Sequence, residues 1–126
     1  MKTLIRGIVL LGHGSRREEA NRGVEELAAQ VERHFPQAVV EVGYLAHGWP
    51  PLAEAVATAL RRGAQEVVVV PLFLYDGVHV RTDIPEQLEE LRRQYPGLRL
   101  RCTATLGSDP RIAEIVLDRI REGDGG

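Results

Sequence analysis

Four runs of branched apolar residues alternate with four segments of helical periodicity, and this alternation restricts the chain more than any other feature. The runs are Ile8–Leu11, Val39–Leu45, Val67–Leu74 and Leu98–Thr103. The first and third are nearly uninterrupted, as expected of strands covered on both faces. The helical segments carry Val24, Leu27, Ala28 and Val31; Leu52, Val56 and Leu60; Ile84, Leu88, Leu91 and Tyr95; and Ile112, Ile115, Val116 and Ile120. Spacing of three and four residues puts each set on one helix face. Boundary residues agree: Ser15 with Glu18 predicts a capping box, Gly63 a helix stop, Asp83 with Glu86 a third helix start, and Asp109-Pro110 an N-cap and first helical position. The chain therefore reads as an α/β domain with a four-stranded parallel sheet and helices on both faces. Right-handed crossovers favour the strand order 2-1-3-4, a flavodoxin-type half.

Size and charge narrow the setting. With 126 residues, 44% of them hydrophobic, the chain can bury one core. The reading is a single domain over residues 1–121 and a flexible tail over 122–126, where no apolar residue is available to bury. Sixteen basic against eighteen acidic side chains leave a formal charge of −2, so no broad positive field draws it to nucleic acid or a membrane. Cys102 is the only cysteine, which excludes an internal disulfide and Cys-rich metal sites and fits a reducing, cytoplasmic setting. No stretch is long enough to span a bilayer, and the apolar stretch after Lys2 and Arg6 is too short for a signal-peptide core.

Two histidines stand out by position. His13 follows the first strand and His79 follows the third. In the order 2-1-3-4 those strands are neighbours whose chains leave toward opposite faces, opening a crevice at their carboxyl ends where such sheets bind ligands. Neutral imidazole ligates Fe, Co, Ni, Cu or Zn, and it also titrates near neutrality. Either ring can bind metal and either can accept a proton. His47, after strand two, is a candidate third ligand or a turn residue beside Gly48-Trp49-Pro50-Pro51. His34 reads as a solvated helix end. Gly14 and Ser15 allow close approach by a ligand, Arg16, Arg17 and Arg81 can pair with substrate carboxylates, and Tyr75 with Gly77 borders the crevice. Trp49 and Leu74 can add an apolar wall, and Asp76 can assist a metal.

Other chemistries lack their residues. Gly12 stands where phosphoglycerate-mutase-type phosphatases place an arginine beside their histidine. No Gly-x-Ser-x-Gly elbow, P-loop or Gly-x-Gly-x-x-Gly fingerprint is present.

Leu11-Gly12-His13-Gly14-Ser15-Arg16, together with Pro71-Leu72-Phe73-Leu74, Gly77, His79 and Asp83-Ile84-Pro85, resembles the small sirohydrochlorin chelatases, the short form of the CbiX/SirB family. The likeness runs from the first strand to the last helix. It implies a class II chelatase-like fold and a homodimer. It also implies insertion of Co²⁺ or Fe²⁺, with Ni²⁺ a further candidate, into sirohydrochlorin for cobalamin or siroheme synthesis. The metal would be a substrate, with no permanently bound cofactor. His13 and His79 match the family's two functional histidines in position. One departure is evident: Ala46 stands where the family carries a glutamate that contributes to metal binding. That substitution keeps open the alternative of a non-catalytic metal- or tetrapyrrole-binding protein that uses the same cleft.

Overall fold

The computed structural model describes residues 4–75 and 77–125. The elements in order are β1 (Arg6–Gly12), α1 (Glu18–His34), β2 (Val39–Tyr44), α2 (Leu52–Arg61), β3 (Glu66–Pro71), α3 (Val78–Gln94), β4 (Arg99–Cys102), a 3-10 turn (Leu106–Ser108) and α4 (Arg111–Asp124). The four strands are parallel and ordered β2-β1-β3-β4, as the alternation predicts. β1 is central and pairs along its length with both β2 and β3, Leu11 lying opposite Gly43 on one side and Pro71 on the other.

Strand alternation divides the core into two layers. On one face Val9, Leu11, Val67, Val69 and Leu100 meet Leu52, Ala55, Val56 and Ala59 of α2 and Ile84, Leu88 and Leu91 of α3. Complete burial of side chains such as Leu52, Val56 and Leu91 contributes about 1.5–3 kcal/mol each, which makes this layer the main source of stability. On the other face Ile8, Leu10 and Val40 are covered by Ala28 and Val31 of α1, while Val68, Val70 and Leu72 stay only partly buried. The expectation that the third run is covered on both faces therefore holds for one face only.

Helix ends follow local chemistry. Gly63, at φ +103°, stops α2: its N–H donates to Leu60 O at 3.0 Å and the Ala64 N–H to Ala59 O at 3.0 Å, a Schellman closure. Asp109 accepts the backbone N–H of Arg111 at 2.9 Å and so caps α4, as anticipated. Two starts differ from the sequence reading. Ser15 does not form a capping box with Glu18; α1 opens after Arg17, and the Ser15 hydroxyl accepts the Arg17 N–H at 3.1 Å. α3 opens at Gly77, not at Asp83, so Pro85 lies inside the helix. Its missing N–H costs one turn's hydrogen bond there. Helix α4 runs through Glu122, Gly123 and Asp124, residues the composition assigns to a tail. No helix among the described residues is long and apolar enough to cross a membrane.

Candidate functional site

The crevice forms where the chain leaves β1 and β3 for opposite faces. His13 is the first residue after β1, and its ring meets the ring of Phe73, two residues beyond β3, edge to face at 6.0 Å between centroids and 74° between planes. Phe73 is buried and His13 exposed, so the imidazole rests on the core edge with its far side open to solvent. The His13 Nδ1 approaches the Gly14 carbonyl oxygen at 3.5 Å, the long limit of a hydrogen bond. His79 falls in the first turn of α3, and its side chain lies outside the described atoms, as does residue Asp76.

The loops after β1 and β2 are bonded side by side. Leu45 N–H donates to Gly12 O at 2.9 Å and Ala46 N–H to His13 O at 3.0 Å, extending the β1–β2 ladder past both strand ends. Gly14 has φ +95°, and a Cβ there would fall 1.6 Å from the His47 carbonyl oxygen. Only glycine satisfies both the backbone angle and that contact. Position 46 is thereby fixed next to His13, but alanine brings no ligand. The exposed His47 lines an open hollow of about 780 Å³ with Ser15, Arg16, Asn21, Tyr44 and Trp49. Among the described residues, no group of three or more His, Cys, Asp or Glu side chains is arranged to hold a metal.

Asn21 is a positioning residue that the sequence did not reveal. Its Oδ1 accepts the Ser15 N–H at 3.0 Å and its Nδ2 donates to Ser15 O at 2.9 Å, closing the His13–Arg16 turn onto α1. Tyr44 supports the same helix by donating its hydroxyl to Asn21 O at 3.3 Å. Burial, and secondarily the charge of Glu25, pushes the Tyr44 phenol above its ordinary value, so it stays a donor through the neutral range.

Around this turn the carboxyl edge is apolar and open. Trp49, Tyr75 and Val78 are about three-quarters exposed, at 74%, 75% and 78%, and Leu74 is half exposed. Apolar groups of this size left in water at the carboxyl edge are available to contact a ligand. Arg16 and Arg17 are exposed beside His13, and Arg81 is exposed one turn into α3, its N–H bonded to Gly77 O at 3.0 Å.

Fold and site define an open α/β sheet that carries a histidine at its topological switch point. The CbiX family model matches residues 7–123, and the chain belongs to the CbiX family. It is 38% identical to a sirohydrochlorin cobaltochelatase of Methanopyrus kandleri, covering 94% of this chain and 96% of that one. A chloroplastic sirohydrochlorin ferrochelatase of Arabidopsis thaliana is 33% identical over 91% of this chain and 51% of its own. Among solved structures, a CbiX protein described as putatively cobalamin-biosynthetic, from Marinobacter aquaeolei, superposes with a TM-score of 0.79 at 30% identity, covering 94% and 93% of the two chains. The sirohydrochlorin chelatase SirB of Bacillus subtilis in complex with cobalt superposes with a TM-score of 0.86 at 26% identity, over 94% of this chain and 51% of that one.

Proposed function

We propose that this protein is a sirohydrochlorin chelatase that inserts Co²⁺ or Fe²⁺ into the macrocycle and works as a cytoplasmic homodimer. The observation that carries the reading is His13 at the switch point of a chain 38% identical, nearly end to end, to a sirohydrochlorin cobaltochelatase. Metal insertion exchanges two pyrrole N–H protons for one divalent ion, so the site needs a group that delivers metal and a base that takes protons. His13 and His79 fill these roles, one each. The exposed Trp49, Leu74, Tyr75 and Val78 suit the flat face of a tetrapyrrole, while Arg16, Arg17 and Arg81 suit its carboxylates. Gly14, Ser15 and Gly77 let the ring approach the backbone. A second copy supplies the wall that a single domain lacks.

The test is turnover. Purified protein incubated with sirohydrochlorin and Co²⁺, Fe²⁺ or Ni²⁺ is expected to change the macrocycle's absorption faster than metal alone. No acceleration with any of the three overturns the reading. Ala46, in the place of a ligand, favours a second reading as a non-catalytic carrier of metal or tetrapyrrole. Saturable binding without turnover would select it.

A further inference from the structure

Two glycines approach a neighbouring loop more closely than any side chain allows. A Cβ added at Gly14 would overlap the His47 carbonyl, and one added at Gly107 would overlap the Leu74 carbonyl and fall 2.8 Å from Tyr75 Cε1. At every other described glycine the nearest neighbouring atom is at 3.0 Å or beyond. Both approaches lie at the carboxyl edge of the sheet, one on each side of the crevice. Gly14, in the loop after β1, meets the loop after β2; Gly107, in the 3-10 turn after β4, meets the loop after β3. The φ of Gly107 is not positive, so the close approach alone excludes a side chain there.

The Gly107 contact belongs to a series of ties that cross the sheet to His13. Thr103 N–H donates to Val69 O at 2.9 Å, carrying the β3–β4 pairing one residue past β4. Leu106 N–H donates to Phe73 O at 2.8 Å, and from the other side Leu72 N–H donates to Leu11 O at 2.9 Å. Phe73 is therefore held between β1 and the 3-10 turn, and its buried ring is the surface on which the His13 imidazole rests, at 6.0 Å between centroids. One residue on, the Leu74 carbonyl abuts Gly107. The Tyr75 ring lies against the same turn, which backs a tyrosine that is otherwise 75% exposed. The chain then enters α3, whose first turn carries His79. A Cβ at position 107 cannot be absorbed by rotating a side chain, because the atoms it meets first are main-chain. The turn and the loop must part by on the order of 1 Å, and a displacement of that size in a site costs about a hundredfold in rate.

We propose that Gly107 is a positioning residue for the chelatase site: by admitting the β3–α3 loop against the β4–α4 turn, it sets both the Phe73 seat of His13 and the Tyr75 wall. This rests on the chelatase reading, and a readout independent of turnover tests the brace by itself. In NMR spectra the His13 ring protons feel the Phe73 ring current, and Phe73→Leu marks their position without it. Gly107→Ala should move the His13 signals toward the Phe73→Leu position and lower kcat/KM for sirohydrochlorin about a hundredfold. Gly97→Ala, at a glycine with open space around it, should do neither. Leu106→Pro is the second variant. Extended backbone at Thr105, φ −71° and ψ 168°, accepts a following proline, and the change removes the N–H bonded to Phe73 O while leaving Gly107 in place. It should move the same signals by a smaller amount, and it decides the matter if Gly107→Ala fails to fold. Folded variants with wild-type His13 signals would overturn the brace. Moved signals with unchanged kcat/KM would make Gly107 structural only. Wild type without turnover would overturn the chelatase reading and with it the role of Gly107 there, an outcome distinct from the others because the His13 signals still report the brace.

Discussion

Ala46 donates its backbone N–H to the carbonyl oxygen of His13 at 3.0 Å, which fixes a residue whose side chain has no ligand atoms next to His13 along the extended β1–β2 pairing. A carboxylate at that position would join the imidazole on a borderline divalent ion. Ala46→Glu is expected to tighten Co²⁺ or Fe²⁺ binding about tenfold, roughly 1.4 kcal/mol, in calorimetric titration. His47→Ala, measured alongside, should weaken binding if His47 serves as third ligand. Equal affinity in wild type and both variants would remove positions 46 and 47 from the site.

His13→Ala is expected to abolish chelation while changing folding stability by no more than about 0.5 kcal/mol. The side chain is exposed, and its ring contact among the described residues is the edge-to-face approach to Phe73. Chemical denaturation followed by circular dichroism, paired with the turnover assay, reads both quantities. A large loss of stability with turnover intact would make the imidazole structural.

Gly14→Ala attacks the same site through the backbone. The φ of +95° disfavours any side chain, and the added Cβ meets the His47 carbonyl at 1.6 Å, a backbone atom that cannot rotate away. The β1–α1 and β2–α2 loops must separate, at about 1–3 kcal/mol for the angle alone. A lower melting temperature and lost turnover are expected; a variant matching wild type in both would contradict the tight apposition of the loops.

Asp109 makes a pH-dependent contribution at the start of α4. The Arg111 side chain, with donors at 3.0 and 2.8 Å, and then its backbone N–H at 2.9 Å hold the Asp109 carboxyl at about 2, against an ordinary 3.8. A depressed folded value means that the stabilisation is present above the unfolded value and is lost as pH falls through about 2. The pair is exposed, so salt weakens it. An NMR titration of the Asp109 carboxyl should show the low value, and Arg111→Ala should return it toward 3.8. An unshifted midpoint in wild type would rule the pairing out in solution.

The sheet order was legible because strand-helix alternation with right-handed crossovers leaves few arrangements, and His13 was legible because it directly follows a buried run. Helix starts were less so. Asp83 has the side chain of a cap, yet extended backbone at Gly77, φ −75° and ψ 178°, already begins α3. Periodicity identified the apolar stripe of α4 but gave no information on what covers it, since spacing defines a face and not its partner. Asn21 was invisible for a related reason. Its partners are the main-chain atoms of Ser15, placed by a turn that no side-chain pattern encodes.

Asn21 therefore supplies the sharpest test of how the site is held. Its carboxamide makes two partly buried hydrogen bonds to Ser15, one accepted and one donated, and these keep the turn bearing His13 and Arg16 against the first turn of α1. A hydrogen bond of this type contributes about 0.5–1.5 kcal/mol, so Asn21→Ala is expected to cost roughly 1–3 kcal/mol. Asn21→Asp keeps the acceptor for the Ser15 N–H but sets a carboxylate oxygen against the Ser15 carbonyl, so it should fall between wild type and alanine or below both. Neither change touches the imidazole. If Asn21 only positions the turn, the KM for sirohydrochlorin should rise more than kcat falls, because the ring's docking surface loosens while the reacting groups remain. Urea denaturation and steady-state kinetics on the three proteins separate the effects. Unchanged stability in Asn21→Ala would show that the clamp is absent in solution, and a fall confined to kcat would place Asn21 in contact with the reacting groups.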